Sequence, residues 1–104
     1  IKIPTKIIKK NMGWCDDPHN KYYNKEILIN KKVKHEKLFR KDHSYDYFIS
    51  INYNTKNIKP NKGSAIFIHL TKNYKPTAGC IALKKKDFLI LIKLINKKTK
   101  IKIY

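Results

Sequence analysis

Acidic residues, arginine, glycine and cysteine are all scarce in this chain, and each scarcity narrows what it can be. Seven Asp and Glu stand against 25 Lys and Arg, giving a formal charge of +18 over 104 residues. A surface of that sign attracts polyanions such as nucleic acid, acidic lipid or anionic wall polymer. Yet Arg40 is the one arginine, and nucleic-acid readers recruit arginine for its planar, two-pronged hydrogen bonding. The lysines are spread along the whole chain among Ile, Asn and Tyr, a mixture that A/T-rich codons produce without any partner. They are read mainly as solvated surface, and nucleic acid is not the expected partner.

Two cysteines, Cys15 and Cys80, are too few for a disulfide framework and have no C-x-x-C spacing; one bridge remains open to them in an oxidising compartment. No long hydrophobic run exists. The longest, Phe88 to Ile92, has five residues, far short of the ~20 that cross a bilayer. No stretch reads as an export signal, and because the chain opens on Ile1 it is taken as a piece of a longer product. The four histidines form no H-x-x-x-H or H-E-x-x-H pattern. His19 near Cys15, Asp16 and Asp17 is a conceivable metal corner, but spacing alone does not supply converging geometry.

With 41% apolar residues the chain has enough for one modest core, and no repeat or linker divides residues 1–104. The first forty-odd residues read as irregular: an extended piece Ile1 to Ile8, a turn-rich stretch Asn11 to Asn24 whose Trp14 is a packing anchor, and a short strand Glu26 to Asn30. Lys34 to Arg40 reads as a short helix. Tyr45 to Tyr53 and Ser64 to Leu70 read as strands flanking a loop, Asn54 to Gly63. Alternation puts Ala65, Phe67 and His69 on one face and Ile66 and Ile68 on the other. After a polar loop come Cys80 and the apolar Ile81-Ala82-Leu83. The helical spacing of Phe88, Leu91, Ile92 and Ile95 then predicts a well-covered helix over Asp87 to Asn96, with a closing strand from Thr99 to Ile103. The expected class is mostly β with one or two helices, α+β.

The chemistry concentrates in Gly63 to Leu70 and Pro76 to Leu83. A thiol becomes a good nucleophile only when deprotonated, and a nearby imidazole is the usual means. His69, at a strand end, and Cys80, separated from it by ten residues that can fold back, can share one rim. Gly79 lets the backbone approach a carbonyl, so the amides of Gly79 and Cys80 form a candidate oxyanion hole. A buried cysteine and a strand-end histidine without joint function produce the same spacing.

These segments resemble the L,D-transpeptidase catalytic domain of the YkuD type. The likeness lies in Ile68-His69, Thr77-Ala78-Gly79-Cys80, Asp87-Phe88-Leu89 and Thr99 to Ile103. Upstream, Gly13-Trp14-Cys15-Asp16-Asp17-Pro18, Tyr22-Tyr23-Asn24 and His43-Ser44-Tyr45-Asp46 are similar to a proteobacterial branch with a Thr-Ala-Gly-Cys element. Two positions depart from the family's better-known pattern: Ala78 replaces the histidine before the Gly-Cys, and Ala82 replaces the Arg or Asn two places after the cysteine. The loop between His69 and Cys80 is also shorter.

The resemblance implies a β-sandwich domain whose preceding strands lie outside this sequence. It implies a peptidoglycan L,D-transpeptidase in which Cys80 attacks a stem-peptide carbonyl, His69 is base and then acid, and the Leu70 carbonyl orients the imidazole. Read from the residues themselves, Thr77 either positions Cys80 through a hydrogen bond within the loop or has no role, Arg40 and Lys75 are candidates to meet stem carboxylates, and Tyr45 and Asp46 either border the cleft or serve the fold. No cofactor is called for, the partners are stem peptides, and the location is the periplasm or cell envelope. Two other readings stay open: a cysteine hydrolase of stem peptides on the same fold, and a non-catalytic basic protein that binds polyanions. Cys15 can approach the site, bridge to Cys80 or be buried, and burial is preferred.

Overall fold

A computed structural model describes residues 2–72 and 80–102 of the chain. Among these residues the fold consists of two three-stranded sheets and one helix. The first sheet has β1 (Met12–Cys15) at its centre, flanked antiparallel by β2 (Glu26–Leu28) and β3 (His35–Lys37). The second orders β4 (Phe48–Ser50), β5 (Phe67–Leu70) and β6 (Ile81–Leu83), with β4 antiparallel and β6 parallel to β5. The helix α1 (Lys85–Leu94) follows β6 directly.

The sheet around β1 corrects two expectations. The stretch expected to be turn-rich supplies the central strand, and all four of its residues are buried. The residues expected to form a short helix supply β3, whose register on β1 pairs Gly13 with Lys37, Trp14 with Glu36 and Cys15 with His35. Local propensity is overridden here by long-range pairing. Gly13 is required by space: a Cβ there would meet the Glu36 carbonyl oxygen and Ile29 Cγ1, each at 3.2 Å. Gly13→Ala is therefore expected to cost on the order of 1 kcal/mol by overpacking. Urea unfolding measures this, and a variant as stable as the parent contradicts it.

The sheets meet through aromatic rings. Trp14 of β1 stands edge-on to Phe67 of β5 with centroids 5.0 Å apart, and Tyr45 stands edge-on to the same Phe67 at 5.5 Å. Met12, Leu38 and Ala65 complete this cluster, against which Phe48 and Cys80 pack. A second cluster, Ile68 with Phe88 and Ile92, joins the other face of β5 to α1. The alternation along β5 thus runs as its sequence predicts, Phe67 towards the first sheet and Ile68 towards the helix.

A single buried polar side chain ties these parts together. Asn24 Oδ1 accepts from Trp14 Nε1 and from the Ala65 amide, both at 3.0 Å, while its Nδ2 donates to the carbonyls of Tyr53 at 3.0 Å and Asn54 at 2.7 Å. Asn24 itself has φ 60°, a left-handed conformation that Asn tolerates better than most residues.

Three further expectations need correction. β5 begins at Phe67, not Ser64, because Ala65 has φ 55° and cannot extend the strand. The helix starts at Lys85 and is covered on one side only: Phe88 and Ile92 are buried, whereas Ile90 and Leu94 are exposed. Residues 99–102 form no strand; near this end the chain makes one isolated parallel bridge, Lys2 with Asn96. No helix among the described residues is long and apolar enough to cross a membrane.

Candidate active site

β5 carries His69, and the parallel register sets it beside Ala82 of β6. Cys80 lies two residues before Ala82, at the entry to β6, so pleating turns its side chain to the same face, next to Phe67. The hydrogen bonds agree. The Phe67 amide donates to Cys80 Sγ at 3.5 Å, and the Cys80 thiol donates to the Ala65 carbonyl at 3.1 Å. The left-handed turn at Ala65, which shortens β5, is where that carbonyl meets the sulfur. Cys80 is half-buried, and it and His69 line one cleft of about 830 Å³.

The imidazole is oriented by its own strand. His69 Nδ1 lies 2.9 Å from the Leu70 carbonyl oxygen. A carbonyl can only accept, so Nδ1 carries the proton and the Nε2 lone pair is left for a proton from elsewhere. The Tyr45 ring stands edge-on to the imidazole, centroids 5.4 Å apart, and fixes its plane.

The sulfur rests as a thiol. Burial pushes the Cys80 pKa up and the negative charge of Glu36 adds to this, opposed by the hydrogen bond from the Phe67 amide. The cleft therefore holds a neutral thiol and an imidazole.

The remaining residues expected at the site divide clearly. Tyr45 and Arg40 line the same cleft. Tyr45 is buried, its hydroxyl donates to Glu36 Oε1 at 3.4 Å, and burial followed by the charge of Glu36 pushes its pKa well above the phenolic range. Arg40 clamps Asp42 through Nε at 3.1 Å and Nη2 at 2.7 Å and lies 5.2 Å over the Tyr45 ring. That clamp holds the Asp42 carboxyl well below the usual carboxylate range. Asp46, at the rim, is bonded to His43 Nδ1 at 2.9 Å. Thr77, Gly79 and Lys75 lie outside the described residues. Cys15 is fully buried, and neither it nor Cys80 is in a disulfide.

Sequence reasoning missed Glu36 altogether. Read as part of a helix it would have had no defined face; as the partner of Trp14 on β3 it turns the same way as buried Leu38 and enters the cleft. A detectable signal was present in the alternation of Glu36 and Leu38 with Lys37. No group of three His, Cys, Asp or Glu among the described residues is placed to hold a metal, which leaves the corner at His19 without support. A larger apolar groove lies between α1 and the sheets, but no thiol lines it.

A strand-borne imidazole and a thiol on one rim, in a fold of two sheets and one helix among the described residues, place the chain among small α+β domains. The family comparison is more specific: residues 2–103 match the model of the L,D-transpeptidase catalytic domain, YkuD, and the chain belongs to that family. No curated protein and no solved structure gives a significant match.

Proposed function

We propose that the chain is a peptidoglycan L,D-transpeptidase that works through a Cys80 acyl-enzyme. The observation that carries this reading is the pairing, on one face of β5 and β6, of a half-buried thiol with an imidazole whose Nδ1 is committed to the Leu70 carbonyl. Family membership supplies the substrate class, the stem peptides of the cell wall.

In the first half-reaction Cys80 Sγ attacks a stem-peptide carbonyl as its proton passes to His69 Nε2. The C–N bond breaks, the imidazolium returns the proton to the leaving amine, and a thioester remains. Amides of Gly79 and Cys80 hold the oxyanion, with Thr77 positioning their loop. Arg40 keeps Nη1 for a stem carboxylate, since Asp42 takes its Nε and Nη2. In the second half-reaction an amine of a neighbouring stem displaces the sulfur and leaves a cross-link. Such a reaction belongs in the periplasm or cell envelope. The hydrolase reading shares the first half and differs in admitting water to the second.

Incubation with a carbapenem, followed by intact-mass measurement, tests the first half directly. The parent is expected to gain one adduct and Cys80→Ala none, with its circular dichroism unchanged. An adduct on Cys80→Ala, or none on the parent, rejects the assignment.

A further inference from the structure

We propose that Glu36 forms the anionic subsite that receives the ammonium group of the amine acceptor, making it the residue that favours cross-linking over hydrolysis. The proposal rests on the acyl-enzyme reading above and deepens it.

Three acidic residues line the cleft with Cys80 and His69: Glu36, Asp42 and Asp46. Asp42 is held by Arg40 and Asp46 by His43, but Glu36 has no ion pair among the described residues. The one hydrogen bond to its carboxylate among the described residues is the 3.4 Å contact from the Tyr45 hydroxyl. Arg40, Lys72 and Lys85 also line the cleft, and Arg40 lies near enough to act on Glu36 through its charge, but none of them forms an ion pair with it among the described residues, so the half-buried carboxylate keeps room for a cation beside Cys80. A buried charge is stabilised by a partner of opposite sign, and the position offers one to a ligand.

The surroundings strengthen the need. Asp16, in the segment leaving β1, adds a second negative charge near Glu36 and keeps one buried carboxylate oxygen with no hydrogen-bond partner among the described residues. The groups that face Glu36 are Asp16 from the β1 side, Arg40 and Tyr45 from the segment between β3 and β4, and His69 from β5, with Cys80 at the entry to β6. Burial, then Asp16, pushes the Glu36 carboxyl up from its ordinary value, against the pull of Tyr45, Arg40 and His69. Such a carboxylate gains from an ammonium and can also accept a proton from it.

The balance of the second half-reaction is then complete. The ammonium gives one proton to Glu36, which passes it to solvent. The free amine attacks the thioester carbonyl and gives a second proton to His69 Nε2; the C–S bond breaks and the imidazolium protonates the sulfur. One amide forms, and Cys80 returns as a thiol.

The test compares two acceptors on the full chain, with a disaccharide-tetrapeptide muropeptide as donor at pH 7.5. A second molecule of the muropeptide is the cationic acceptor, and hydroxylamine, uncharged at that pH, is the neutral one. Dimer, hydrolysed monomer and hydroxamate are separated by mass. Glu36→Gln is expected to lower the dimer-to-hydrolysis ratio about tenfold, the order expected for a lost charge-assisted hydrogen bond, while the hydroxamate-to-hydrolysis ratio holds. Glu36→Asp, which keeps the charge, is expected to recover part of the loss. If both ratios fall together, if the dimer ratio is unmoved, or if the parent makes hydrolysed product without dimer, the subsite assignment is overturned. A parent that forms no Cys80 adduct overturns the acyl-enzyme reading instead.

Discussion

Asn24→Ala is expected to lower the thermal midpoint of the fold by roughly 15 °C or more. The substitution leaves the Trp14 indole N–H and the Ala65 amide without an acceptor inside the protein, and removes the donor from the carbonyls of Tyr53 and Asn54. An orphaned buried donor costs about 1–3 kcal/mol; the two carbonyls lie closer to water and cost less. Alanine also tolerates the left-handed backbone at φ 60° poorly, adding about 1 kcal/mol. The sum, about 4 kcal/mol, is a large share of the ~5–15 kcal/mol that keeps a small domain folded. At 4–8 °C per kcal/mol, the melting midpoint should fall by roughly 15 °C or more. Asn24→Asp retains an acceptor for Trp14 and Ala65 but loses the donors, so its midpoint should lie between those of the parent and Asn24→Ala. Thermal unfolding followed by tryptophan fluorescence measures both. An alanine variant within about 1 kcal/mol of the parent would show that the asparagine is not the tie described.

His69→Ala is expected to slow acylation of Cys80 by about 10²–10⁴-fold, the usual contribution of a positioned base. The sign of the pH dependence follows from the resting thiol. Burial and the charge of Glu36 hold the Cys80 pKa above its ordinary value, so near neutral pH little thiolate is present without help. In the variant the adduct must come from that minor thiolate, and its rate should climb about tenfold per pH unit through and beyond the ordinary thiol range near 8.5. The parent, which moves the proton during attack, should be much less steep below that range. Stopped-time mass measurements from pH 6 to 10 read both profiles. Parallel profiles, or a variant within a few-fold of the parent at pH 7, would remove His69 from the role of base.

The parts of the fold that could be read from the chain are those where local pattern and final environment coincide. β4 falls inside its aromatic and β-branched stretch, the two faces of β5 follow its alternation, and α1 keeps the spacing of Phe88, Leu91 and Ile92. β1 was obscured because Asn11, Gly13, Asp16 and Pro18 are turn formers locally, whereas burial of Trp14 against Phe67 and the close approach of β3 to Gly13 make the segment a central strand. β3 was obscured for the complementary reason: three residues carry too little periodicity to declare themselves, and their register is imposed by β1. The same divide separates the site residues. Cys80, His69, Tyr45 and Arg40 are recognisable by type and motif, and the structure sets all four around one cleft. Glu36 acquires its face only once β3 is paired with β1, and the Ala65 carbonyl acquires its partner only through a left-handed turn that no residue preference announced.

That turn also bears on how long the Cys80 thiol survives. Peroxide and disulfides react with the anion of sulfur far faster than with its protonated form. A sulfhydryl whose hydrogen is tethered to the oxygen of Ala65 and whose ionisation burial opposes is shielded from such oxidants for as long as it stays protonated.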